Sequence, residues 1–174
     1  MAQVDTWEIQ WSKMPSLEAN DARNMFNTIL IPIDGSAQSR RAAELGCDLA
    51  TKYGASVHFL HVTQSPVRDE DLAFAGAART VKVAMHAPQE ELQQVAKHLM
   101  EVAVEHADRQ GCRQVTTEIA GGDPAQRILK TADEIMADVI VMGSRGLGDL
   151  SGMLKGSVSH KVNHLAHCTC ITVT

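Results

Sequence analysis

An unbroken apolar run, Val139-Ile140-Val141-Met142, leads straight into a glycine-rich stretch from Gly143 to Ser157. Behind it Val158, Val162 and Leu165 recur at i, i+4 and i+7. An apolar run without alternation is a strand covered on both faces, as in a parallel sheet. The stripe after it predicts a helix with that face toward a core. Strand, glycine loop and helix N-terminus in this order confine the chain to the α/β class. They also collect free N–H groups and the positive end of a helix dipole, which suits phosphate. Glycines let the backbone approach such a ligand closely.

The same unit recurs earlier in the chain. Thr28 to Ile33 is a second continuous apolar run, with Pro32 expected at the strand's end because it cannot donate to a ladder. Asp34-Gly35-Ser36 follows, with Ser36 placed to cap a helix that turns Ala42, Leu45 and Leu49 inward and stops at Gly54. Val57 to Val62 is the next strand. Residues 65–87, with Arg68, Arg79 and Lys82, are too long for a routine connection and read as a solvated flap. Pro88 through Arg109 predicts a helix with Leu92, Val95, Leu99, Val102 and His106 on one side. Gln114 to Ala120 alternates, as a half-exposed strand does. Asp123, Pro124 and Gln126 occupy N-cap, N1 and N3 of a helix whose Ile128, Ala132 and Ile135 face inward. Thr169 to Thr174 alternates again, with Ile171 and Val173 on one face.

Five strands alternating with four helices predict a doubly wound, five-stranded parallel sheet of Rossmann-like form. The solidly apolar first and fourth strands belong at its centre and the alternating third and fifth at its edges, giving the order 3-2-1-4-5. The strand order then reverses between strands one and four, and ligands bind beyond strand C-termini at such a point. Asp34 and the Gly143 loop therefore face one crevice, although Asp34 alone reads equally well as a turn residue.

Known phosphate loops fit this stretch unequally. Walker A requires Lys after its second glycine, yet Lys155 precedes Gly156. Gly146, Gly148 and Gly152 are one residue too wide for G-x-G-x-x-G, which would in any case follow the first strand. The spacing present is Gly143-x2-Gly146-x9-Gly156-Ser157. Together with Asn27-Thr-Ile-Leu-Ile-Pro-Ile-Asp34-Gly-Ser36, Leu60-His61-Val62, Gly122-Asp123-Pro124 and Ala137-Asp138 through Ser144, it resembles the universal stress protein family, in its ATP-binding subgroup. The resemblance covers residues 25–174 and leaves 1–24 as an N-terminal extension, with Met25 an alternative start.

The resemblance implies roles. Pro32, Asp34 and Val62 match positions lining adenine and ribose. Met142, Gly143, Gly146, Gly156, Ser157 and Val158 match positions holding ribose and phosphates. It implies ATP, or ADP or AMP, with Mg or Mn bridging phosphates and Asp34 as the metal-facing carboxylate. It also implies a homodimer in which the last strands pair. Arg145 stands where relatives often carry His and is expected to add a phosphate contact. Ala166-His167-Cys168-Thr169 replaces a stretch usually richer in proline.

Composition bounds the remaining alternatives. With 174 residues, 44% hydrophobic and 21% charged, the chain can bury a core as one domain. A net charge of −5 argues against nucleic acid as a partner. No apolar stretch is long enough for a membrane helix, no leader pattern opens the chain, and Cys47, Cys112, Cys168 and Cys170 form no disulfide framework, so a cytoplasmic protein is expected. Slow ATP hydrolysis or autophosphorylation is an alternative on the same site, although no base with an orienting partner is evident. A metal site at His160, His164, His167, Cys168 and Cys170 is a weaker one, since no zinc spacing is completed. In the extension, Val4, Trp7, Trp11 and Met14 recur at helical spacing before Pro15, an anchor for the domain or a partner if not a weakly ordered terminus.

Overall fold

A computed structural model of the chain describes residues 25–63, 89–146 and 156–174. The expectations placed on 1–24, on 64–88 and on 147–155 lie outside the described residues. Strand β1 (Thr28–Pro32) leads to helix α1 (Ala37–Tyr53), and β2 (Ser56–Thr63) precedes α2 (Gln89–Gln110). Then come β3 (Val115–Gly121), α3 (Pro124–Glu134), β4 (Val139–Gly143), α4 (Ser157–Leu165) and β5 (Thr169–Val173). All pairings are parallel, in the order β3-β2-β1-β4-β5. The two solid apolar runs are indeed central, because only a strand flanked by neighbours and covered on both faces can bury every side chain.

Two cores sandwich the sheet. Ile29, Ile31, Val57, Phe59, Val139 and Val141 pack against Ala42, Cys47 and Ala50 of α1 and Met100, Ala103 and Ala107 of α2. The alternate residues Leu30, Leu60, Ile140 and Met142 pack against Ile128 and Ala132 of α3 and Val162 of α4. The central strands are pinned at their start by Asp138, whose Oδ2 accepts from the N–H groups of Asn27 (2.6 Å) and Thr28 (2.9 Å). Ser36 caps α1 and Gly54 ends it at φ 72°, a left-handed cap that glycine adopts without strain. No helix among the described residues is long and apolar enough to cross a membrane.

Two helix faces differ from the periodicity reading. On α2 the buried residues are Ala96, Met100, Ala103 and Ala107, with Leu99 half-buried, whereas Leu92, Val95 and Val102 are exposed. Two overlapping stripes satisfy a 3.6-residue period here. The alanine-rich one wins because small side chains let α2 seat closely on α1 and on the β2–β3 side of the sheet. On α4, Val162 is buried and Val158 half-buried, but Leu165 at the helix end is exposed and Ala166 packs in its place.

Candidate functional site

The order reversal between β1 and β4 puts two loops side by side at the C-terminal edge of the sheet. After β1, Asp34 is half-buried, and its Oδ1 accepts from the Ser36 N–H at 2.9 Å. The Ser36 hydroxyl in turn accepts from the Ser39 N–H at 3.1 Å, starting α1. The turn reading of Asp34 is thus right for one carboxylate oxygen. The other oxygen, Oδ2, lies where a Cβ on Gly146 would have to be. The loop after β4 therefore runs directly against the Asp34 carboxylate, as the topology argument required.

Each loop glycine has its own reason. A Cβ on Gly143 would meet the backbone of Gln38 and Ser39 at 3.0 Å, so this glycine admits the first turn of α1. A Cβ on Gly156 would come within 2.6 Å of the Ser144 carbonyl oxygen. The Gly156 N–H donates to that same carbonyl at 3.0 Å. Hence Gly156 closes the base of the loop against its own backbone, a reason for glycine that the sequence did not carry. The Ser159 hydroxyl, buried, lies 2.7 Å from the Ser144 carbonyl and 3.0 Å from that of Gly156, and it reinforces the closure.

Helix α4 begins at this closure. Its N-cap is Gly156, with no side-chain cap bond, whereas Ser36 caps α1 and Asp123 caps α3 through the Gln126 N–H at 2.8 Å. The first-turn N–H groups of α4, beside Ser157 and Val158, thus lie at the positive end of the dipole with no cap from the side chain of the N-cap residue. Ser157 is exposed and Val158 half-buried. A phosphate oxygen fits this arrangement.

The remaining expected residues divide. Pro32 ends β1, buried, and Val62 is half-buried beside Ala120 on β2 and β3. Met142, expected among the ribose and phosphate positions, buries its side chain in the core beneath α3 and α4. Arg145 is exposed and lines a cleft of about 500 Å³ with Gln38, Ser159, His160, Asn163 and Thr172, on the β5 side of the loop. The five residues of the metal alternative are not gathered: among the described residues, no three His, Cys, Asp or Glu side chains form a group for a metal ion. Among the described residues of the two loops, Asp34 is the carboxylate at the crevice.

Sequence reasoning missed two supporting residues. His61 donates from Nδ1 to the Ile33 carbonyl at 2.8 Å and steadies the chain just before Asp34. Ser159, three positions past Gly156, carried the usual signal of a helix-start hydroxyl, but its partner lies across the loop. Away from the crevice, Glu118 binds Arg127 and lies 3.4 Å from His58 and 3.3 Å from Thr131, tying edge strand β3 to α3. Burial raises the Glu118 carboxyl, yet Arg127, His58 and Thr131 outweigh it and hold the group below the ordinary carboxylate value.

The sequence pattern of the universal stress protein family matches residues 25–174. The universal stress protein YxiE of Bacillus subtilis is 37% identical over 152 residues, covering 86% of this chain and 99% of its own. Among solved structures, a universal stress protein in complex with cAMP superimposes with a TM-score of 0.63 at 20% identity, over 85% of this chain and 96% of that one. One from Archaeoglobus fulgidus in complex with dAMP gives 0.56 at 20% identity, over 86% and 99%.

Proposed function

The chain belongs to the universal stress protein family, and we propose that it binds an adenine nucleotide, ATP with a divalent ion, in the crevice between β1 and β4. The observation that carries this reading is the contact of Gly146 with the Asp34 carboxylate, which sets an acidic group for ribose or metal beside a loop that ends at an uncapped helix. Two neighbours of the same fold hold cAMP and dAMP, both adenine nucleotides with a phosphate group. Here Asp34 accepts from the ribose hydroxyls or faces the ion, and Pro32 and Val62 flank the base. The N–H groups of Ser157 and Val158 receive the phosphates, with the loop closure at Gly156 fixing their direction. The nucleotide then serves as the signal in a stress-response regulator or sensor, and two copies pair through the open edge of β5.

Mass spectrometry of nucleotide released from the purified protein tests the reading most directly. A thermal-shift assay complements it: ligand at a hundred times its dissociation constant adds about 2.7 kcal/mol. For a chain of this size that raises Tm by roughly 5–10 °C. Protein that carries no nucleotide and gains no stability from millimolar ATP, ADP or AMP would sink the proposal.

A further inference from the structure

Cys47 and Cys112 stand 65 positions apart, yet their side chains meet. Cys47 is on the inner face of α1, fully buried. Cys112 follows the end of α2 and is 8% exposed, just past Gly111, which turns the chain at φ 83°. The Gly111 N–H donates to the Asp108 carbonyl and the Cys112 N–H to that of Ala107, each at 3.0 Å. This glycine-capped helix end fixes the backbone of Cys112 and sends its side chain into the core shared with α1. There the Cys112 thiol donates to the Cys47 carbonyl oxygen at 3.7 Å and lies 3.9 Å from the Thr51 hydroxyl. It is also the hydrogen-bond partner of the Cys47 thiol. Thr51 donates in turn to the Gln110 carbonyl at 3.1 Å, so the two backbones that carry the thiols are themselves tied. We propose that Cys47 and Cys112 are a redox couple, which a hydroperoxide closes into a disulfide joining α1 to the turn after α2.

The environment sets the order of events. Burial, then the neighbouring Cys112 and Asp48, push the Cys47 thiol well above its ordinary range, so it keeps its proton. Cys112 lies between the exposed residues Gly111 and Arg113 and reacts first. As thiolate its sulfur attacks one oxygen of hydrogen peroxide. The S–O bond forms, the O–O bond breaks, and water leaves behind a sulfenic acid. Cys47 then attacks that sulfur, giving its proton to the departing hydroxide. The S–S bond forms, the S–O bond breaks, and a second water leaves. Two thiols have lost two electrons, and one hydrogen peroxide has become two waters. Cys168 and Cys170 pack against the opposite core of the sheet, so they take no part in the exchange. The first turn of α1 packs on Gly143 at the crevice, so the bond anchors a helix that bounds the candidate site.

The full chain, treated with hydrogen peroxide and digested without reductant, should yield a cross-linked peptide pair containing Cys47 and Cys112, lighter by two hydrogens. The oxidised protein should melt roughly 10 °C higher, because the bond closes a long loop in the unfolded chain. Dithiothreitol should reverse both changes. The rate of oxidation should rise as pH is raised, since thiolate is the attacking species. Cys112→Ser should leave Cys47 a free thiol and abolish the shift in Tm. Cys168→Ser with Cys170→Ser, on the other face of the sheet, should keep both the cross-link and the shift. Cys47 and Cys112 that remain thiols after peroxide treatment, or a Cys112 that proceeds to sulfinic acid without cross-linking, would overturn the proposal. A cross-linked protein that melts no higher than the reduced one would do the same.

Discussion

Two glycines on one loop make opposite predictions. At Gly146 the atom in the way of a Cβ is the end of a side chain, Asp34, which can swing aside. Gly146→Ala should therefore melt within about 1 kcal/mol of wild type, yet weaken nucleotide affinity roughly tenfold or more by displacing the carboxylate. At Gly156 the obstacle is the Ser144 carbonyl and the Arg145 backbone, which cannot move without opening the loop. Gly156→Ala should cost about 1–3 kcal/mol in a melting experiment, as overpacking does, and lose binding as well. Isothermal titration with ATP beside thermal melts distinguishes the two. Equal loss of stability in both variants would mean that Gly146 and Asp34 are not coupled as described. The sequence identified both glycines, but the reason for each came from atoms that lie far away along the chain or across the loop.

At the scale of elements, the edge strand β3 is held by charge where the central strands are held by apolar packing. Its outer positions Thr116 and Glu118 face α3, and Glu118 meets Arg127 there. Because Arg127, His58 and Thr131 hold the folded-state carboxyl below its unfolded value, Glu118 stabilises the fold above the unfolded pKa and loses that effect as pH falls through the folded one. Glu118→Gln should accordingly lower Tm near neutral pH, with the gap to wild type closing as pH falls below the ordinary carboxylate range. Melting curves across that range decide it; a gap that is constant with pH would assign the effect to packing rather than charge. The α2 face makes a related point. Both of its stripes have helical period, and only the closeness of α1 selects the alanines for burial.

At the scale of the whole molecule, the open edge of β5 is where a second copy is proposed to pair. Ile171 and Val173 are half-buried against the α1-side core, so lysines there would disturb folding along with pairing. Thr172 is exposed, and its neighbours' backbone groups serve β4, as in the Ser144 N–H bond to the Val173 carbonyl at 2.7 Å. By strand alternation the Thr172 N–H points to the open edge. Thr172→Pro removes that donor and should convert a dimer to a monomer with little change in Tm of the isolated fold. Light scattering at tens of micromolar protein reads the outcome: a wild type already monomeric, or a variant still dimeric, would remove this edge as the interface.

The sequence by itself determined the strand order, because burial on two faces leaves an unbroken apolar run and burial on one leaves alternation. It also placed Asp34 and the Gly143 loop at one crevice, since the reversal of order follows from that same reading. Caps at Ser36, Gly54 and Asp123 were equally legible, their bonds being formed within a few residues. Tertiary structure alone decided which of two stripes α2 buries, that the Met142 side chain belongs to the core, and that Gly156 packs on Ser144 while Gly146 meets Asp34. Those outcomes depend on distances between segments remote in the chain or across a loop, and a one-dimensional pattern carries spacing along the backbone but no distance across it.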